Sequence, residues 1–200
     1  MARPKKFDQE QALHNAMFVF WQKGYQATSV KDLENATGLV PSSIYNAFGS
    51  KEELFLQILT HYSEKIIGGR IARYLTQDDP IRAIKDFFTT CFTDLPKDNE
   101  GIACLMVNSA SEMAAHHQGV RELVIKNDDR LHTHFLRCIE KAKSEKQLST
   151  ECDSHILASQ LVTSLKGLLL SSKAIKNNNK MLEACNQSLE FILTKTEYAF

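Results

Sequence analysis

Apolar residues return at intervals of three and four along nearly the whole chain, and no stretch alternates at two for long enough to nominate a strand. A stripe with that period can be buried only by a helix, because successive strand side chains point to opposite faces. With 8 Gly and 4 Pro among 200 residues, the sequence also lacks the punctuation that many short strands need. The expected fold is therefore all-α, with about nine helices.

Local signals place the helix ends. The first helix starts near Asp8, carries Leu13, Ala16, Met17, Phe20 and Trp21 on one face, and closes at Lys23-Gly24. Thr28 or Ser29 caps a short second helix that Gly38 ends, and Pro41 suits the first turn of a third, running through Ile44 and Tyr45 to Phe48. After Gly49, Ser50 and Glu53 form a capping box that opens a fourth helix, expected to end at Gly68-Gly69. Asp79-Pro80 starts a fifth, ended with the help of Pro96. A polar loop over residues 97–101 leads into an unusually apolar segment, 102–115. Long amphipathic helices then carry Val120 to Ala142, Ile156 to Leu169 and Leu182 to Leu193. The functional boundary falls near Gly49, giving units of 1–49 and 50–200.

Composition removes several function classes. An apolar share of 43% supports a sizeable core, and 24 basic against 24 acidic residues give no whole-chain field, so any polyanionic partner is met by local patches. Five scattered cysteines without paired spacing argue against disulfides or structural zinc and suit a reducing cytoplasm. No signal peptide, transmembrane helix or membrane association is expected, since the longest apolar run is residues 102–107. Among seven histidines, His116 and His117 are adjacent and His132 and His134 two apart, spacings that turn the rings to different sides of a helix. No nucleotide loop, dinucleotide fingerprint or nucleophile elbow occurs, so neither an enzyme, a metal nor a cofactor is expected.

The second and third helices, with a turn containing Gly38 between them, have the helix-turn-helix layout. Ser42, Ser43, Tyr45 and Asn46 lie on the outward face of the second member, free to enter a major groove. Positive charge flanks this unit: Arg3, Lys5 and Lys6 form a basic arm, and Lys51 stands beside the N-terminal amides of the fourth helix, where it can meet a phosphate. The bland alternatives are a solvated arm and an ordinary three-helix core.

The chain here resembles the TetR family of bacterial transcriptional repressors. The resemblance rests on Phe20-Trp21-x-x-Gly24-Tyr25-x-x-Thr28-Ser29-Val30, on Asp32-Leu33-x-x-Ala36-Thr37-Gly38-Leu39, and on Ser43-Ile44-Tyr45-x-x-Phe48-Gly49-Ser50-Lys51-Glu52-x-Leu54-Phe55. It implies an N-terminal three-helix DNA-binding domain, a larger helical domain that binds an inducer and dimerises, and a relay through helix four. It also implies phosphate contacts from Thr28 and Lys51 and a groove-facing Ser42, Ser43, Tyr45 and Asn46. The partners so implied are a palindromic double-stranded DNA operator, a small-molecule inducer and a second copy of the chain. The last two helices, with Gly167 allowing close approach, are the expected dimer face.

The effector end carries weaker signals. Phe88 and Phe92 read as core or as pocket wall, and Asn108 among apolar neighbours needs a partner or a ligand. Cys104 in the same segment is either a small buried hydrophobe or a sensor thiol. As a sensor it would need a cation, for which Lys166 and Lys173 are the candidates. The readings carried forward are a ligand-responsive repressor, a reactive-cysteine repressor, and a helical interaction module that does not bind DNA.

Overall fold

The computed structural model describes residues 7–94, 104–175 and 177–194. The basic arm with Arg3 and Lys5, and the 97–101 loop, lie outside the described residues. Within them there are only helices: α1 (Gln9–Ala27), α2 (Val30–Thr37), α3 (Pro41–Phe48), α4 (Lys51–His61), α5 (Gly68–Tyr74), α6 (Pro80–Thr93), α7 (Leu105–Met113), α8 (Gln118–Ser144), α9 (Ser154–Ser171) and α10 (Asn178–Thr194). None of these is long and apolar enough to cross a membrane.

Side-chain caps set most of the starts. Asp8, Asp79 and Asp153 each accept hydrogen bonds from first-turn amides of α1, α6 and α9. Ser29, rather than Thr28, caps α2, in a reciprocal box with Asp32. The Lys23 ammonium, 2.5 Å from the Asp32 carboxylate, holds that acid well below the usual carboxylate range and ties α1 to α2. Ser50 and Glu53 form the second box, at the head of α4. Near the end of α1, Gly24 takes φ 78°, a backbone state that side chains with a Cβ avoid, and so turns the last residues of the helix aside.

The fourth helix does not stop at Gly68-Gly69. α4 passes through a π-helical turn, Tyr62–Ile67, into α5, a continuous rod from Lys51 to Tyr74. Gly68 keeps right-handed helical angles, φ −62° and ψ −40°, because its role is clearance: a Cβ there would stand 2.7 Å from the Arg130 guanidinium. In the π turn the Ser63 carbonyl accepts from the Gly68 amide and also from Arg130 of α8, at 3.1 Å. The Ser63 hydroxyl donates to the buried Asn127 of α8, at 3.3 Å. Such π turns need outside partners for their stretched ladder.

At 27 residues α8 is the spine of the body, with α4, α6, α7 and α9 all packed against it. Phe87 and Phe88 of α6 close on Phe135 of α8 at ring separations of 5.5 and 5.8 Å. The core then continues without a break into the N-terminal unit, where Phe20 and Tyr25 stack, Phe55 packs tilted against both, and Trp21 meets Tyr62 edge-on at 5.1 Å.

Candidate nucleic-acid interface and effector cavity

The outward face of α3 follows from helical spacing. Ile44 and Phe48, four apart, are 1% and 3% exposed and fill the core beneath, which forces their neighbours outward. Ser42, Tyr45 and Asn46 are exposed, with Tyr45 at 39%, and Ser43 is half-buried at the edge. Gln57 of α4 donates to the Phe48 carbonyl at 3.0 Å, and Gly49 returns its amide to Tyr45, so the end of α3 is pinned to the rod. The face presents hydroxyl, phenol and amide groups with no charge, chemistry suited to base edges and phosphate oxygens.

Lys51 opens α4, but its ammonium lies over the Tyr25 ring, 4.6 Å from the centroid. Burial pushes its pKa down, and the charge of Glu112 opposes that shift. Glu112 has a second, more definite task. Its carboxylate accepts from the Tyr25 amide at 3.1 Å and the Gln26 amide at 2.9 Å, the two groups that the break at Gly24 releases from α1. One turn of chain further on, His117 caps α8 with Nδ1, leaving Nε2 2.7 Å from the Glu52 carboxylate of α4. Thr28 departs from the expectation that it meets phosphate. It is 2% exposed and its hydroxyl donates to the Gly24 carbonyl at 2.7 Å, so it secures the corner between α1 and α2 from inside.

Behind these contacts the body holds a partly open cavity of about 170 Å³. The N-terminal unit contributes Phe18 and Trp21, the π turn Tyr62, Ile66 and Ile67, α5 Arg70, and α7 Met106 and Val107 with Cys104 just before it. Most of the lining is apolar. Two of the exceptions sit on the α4–α5 rod, where the Tyr62 hydroxyl lies 3.4 Å from the Cys104 sulfur and Arg70 is close enough to the Cys91 thiol for the two to act on each other; Asp94, Asn127, Asp128, Lys166 and Ser172 enter from other elements. Burial pushes the Cys91 thiol up to about 11, with Arg70 opposing, and lifts the Tyr62 phenol well above its ordinary value.

Cys104 therefore reaches the cavity, while the other expected pocket residues stand elsewhere. Phe88 and Phe92 are 0% and 2% exposed in the core, and α6 turns Phe87 and Cys91 to the cavity instead. Asn108 is outside the lining, its Oδ1 buried with no hydrogen-bond partner among the described residues. Lys173 is exposed in the turn after α9. Lys166 does line the cavity, but it is bound to Asp128 at 2.5 Å and is not available to a thiolate. Reading the sequence alone passed over Arg70 and Glu112. For Glu112 a signal existed: an acid in the last turn of a helix sits at the negative end of the helix dipole and calls for donors from outside.

Comparison with known proteins agrees with this layout. Residues 12–58 match the profile of bacterial regulatory proteins, tetR family, and residues 80–188 that of the tetracyclin repressor-like C-terminal domain. The HTH-type transcriptional repressor ComR of Escherichia coli is 29% identical over 194 residues, spanning 94% of this chain and 90% of the relative. The uncharacterised HTH-type regulator YezE of Bacillus subtilis is 28% identical, spanning 96% and 100%. Among solved structures, a cysteine mutant of the TetR family regulator CifR bound to 26-base-pair operator DNA superposes with a TM-score of 0.81 at 26% identity, covering 94% and 98%. Regulatory protein TetR from Rhodobacter sphaeroides shares the fold, with a TM-score of 0.83 at 17% identity.

Proposed function

The chain belongs to the TetR family of bacterial regulatory proteins, and from that premise we propose that it is a cytoplasmic, homodimeric repressor that leaves its palindromic operator when a small molecule fills the cavity. The observation that carries this reading is the face of α3, where Ile44 and Phe48 are spent on the core and Ser42, Tyr45 and Asn46 stand free on a pinned helix. Ser43 and Lys51 complete the DNA contacts from the edge, with Arg3 and Lys5 extending them along the backbone. The division at Gly49 is functional rather than mechanical, since α4 serves both units. In the dimer, α9 and α10 meet their copies through Ile156, Leu170 and Phe191, which are 57%, 48% and 61% exposed in the single chain.

Coupling follows from two members that touch both ends. The α4 rod puts Lys51 beside α3 and Tyr62, Ile67 and Arg70 on the cavity. α7 puts Met106 and Val107 on the cavity and Glu112 on the amides at the Gly24 break. A ligand that shifts either one tilts the recognition helix, and two recognition helices must match the spacing of two grooves at once. The distinguishing experiment is anisotropy titration of a labelled duplex from the chain's own upstream DNA against wild type and Tyr45→Ala. Specific binding lost only in the variant supports the reading, and wild type with no preference over random duplex sinks it.

Covalent sensing through Cys104 is the second reading, favoured by the single fact that its sulfur faces the cavity beside Tyr62. Treating wild type and Cys104→Ser with a mild electrophile while following operator release separates the two routes. Equal sensitivity of both proteins leaves the noncovalent route.

A further inference from the structure

The size of the cavity bounds what it can hold. A dry cavity of about 150 Å³ lined by aliphatic and aromatic side chains accepts benzene, so a cavity of 170 Å³ takes one ring and a short substituent. Walls such as Trp21, Phe87, Leu165 and Leu169 suit the flat faces of that ring. The substituent is set by the polar groups. Lys166 and Asp128 neutralise each other at 2.5 Å. Asp94, the acid that acts on Arg70 from a distance, accepts from the Tyr74 hydroxyl at 3.1 Å and the Thr93 hydroxyl at 3.3 Å. Among the described residues Arg70 makes no ion pair, and of the groups that act on it the Cys91 thiol, kept neutral by burial, acts most strongly.

A guanidinium has five donors in a rigid fork, and a thiol satisfies one of them poorly. At the edge of a largely apolar wall, a planar two-oxygen acceptor suits that fork best, because it takes two parallel charge-assisted hydrogen bonds. Tyr62 stands eight positions earlier on the same rod, close enough to Arg70 for their charges to act on each other, and so belongs to the same polar end. We propose that the effector is a single-ring aromatic carboxylate, with its ring among Trp21, Phe87 and Leu165 and its carboxylate on Arg70. The proposal rests on the reading of this cavity as the effector site. It also gives the ligand a lever, since pulling on Arg70 pulls on the rod that carries Lys51.

The chain has one tryptophan, Trp21, and it lines the cavity, so its fluorescence reports occupancy directly. Titrate wild type with benzoate and with benzyl alcohol, which matches it in size and lacks the carboxylate. Repeat both titrations with Arg70→Met, after checking its helicity and melting. Benzoate is expected to bind wild type at least tenfold more tightly than benzyl alcohol, and Arg70→Met to erase that preference while keeping the alcohol's affinity. Equal affinities in wild type, or a preference that survives in Arg70→Met, overturn the carboxylate assignment and leave the effector cavity standing. Failure of both probes to bind also overturns the assignment, and the repressor reading is then still decided by the Tyr45→Ala titration, which involves no ligand. If Arg70→Met does not fold, the wild-type pair of titrations alone decides the matter.

Discussion

α3 and α7 are nearly equal in length, eight and nine residues, and neither has a side-chain cap at its start. They differ in what their sides are for. α3 has one occupied side and one free side: Ile44 and Phe48 are spent on the core, and everything opposite is surface. α7 divides its sides among several tasks: Leu105 and Met113 are buried, Val107 lines the cavity, and the exposed Glu112 grips α1. A helix that reads an outside partner can be built from a local motif, whereas one that couples two sites is defined by residues far away in sequence. Changes in α3 should therefore remove function and spare the fold, and changes in α7 should disturb several properties a little.

The sharpest test of that contrast is Tyr45→Ala. Losing a base-edge contact costs roughly 1–3 kcal/mol, and both protomers of a dimer lose it at once, so specific operator binding should fall below detection by anisotropy. The melting temperature and the dimer mass should not move. A variant that unfolds would show that Tyr45 serves the core and that α3 resembles α7 after all.

Next in size is Gly167→Leu. In the single chain nothing lies within 4 Å of a Cβ built at Gly167, so the protomer has room for the side chain. Its effect must come from the second copy, where overfilling a close crossing typically costs about 1–3 kcal/mol. Light scattering should report monomer with unchanged helicity, and operator affinity should fall because a monomer offers one recognition helix. An intact dimer would move the interface away from this stretch of α9.

The difference between α3 and α7 is also the difference between what could and could not be read from sequence. The Ser50–Glu53 capping box, the breaks at Gly24, Gly38 and Gly49, and the outward face of α3 depend on residues within a few positions of one another. Gly68 misled because its role is set by Arg130, far along the chain, and nothing adjacent announces a guanidinium that needs clearance. The cavity misled for a related reason. Phe87, Phe88, Cys91 and Phe92 form one broad apolar stripe, and only the position of α8 decides that Phe88 meets Phe135 while Phe87 and Cys91 also reach the cavity. Thr28 has the residue type of a phosphate ligand, and its burial beneath Gly24 depends on a backbone turn that Glu112 helps hold.

Glu112→Gln probes the coupling side of the comparison, with a smaller effect spread over several properties. The amide side chain can still accept one hydrogen bond, but it loses the charge that makes two short ones to Tyr25 and Gln26 favourable. Both amides are near solvent, so the stability cost should be about 1 kcal/mol, read as a small drop in melting temperature. Operator affinity should weaken a few-fold, and the variant should need more effector than wild type for release. Unchanged release would mean that the α4 rod carries the signal alone.

The smallest expected effect concerns His61, at the point where α4 becomes the π turn and the two regions join. Its ring is 9% exposed, packs edge-on against His14 at 5.7 Å, and has no hydrogen-bond partner for Nε2 among the described residues. Burial holds its pKa below the ordinary histidine value, with His14 and Lys65 adding to the depression and Glu10 and Glu64 opposing it. A base whose folded pKa is depressed binds its proton more readily when unfolded, so stability is fully present above the unfolded value of about 6.5 and is lost as pH falls through the folded value. Wild type should therefore lose more melting temperature between pH 7.5 and pH 5.5 than His61→Gln, which keeps a polar side chain and cannot titrate. Other groups titrate in that window in both proteins, so the difference between the two slopes isolates His61. Equal slopes would place the ring in contact with water, and the junction would then be looser than the packing of His14 against it implies.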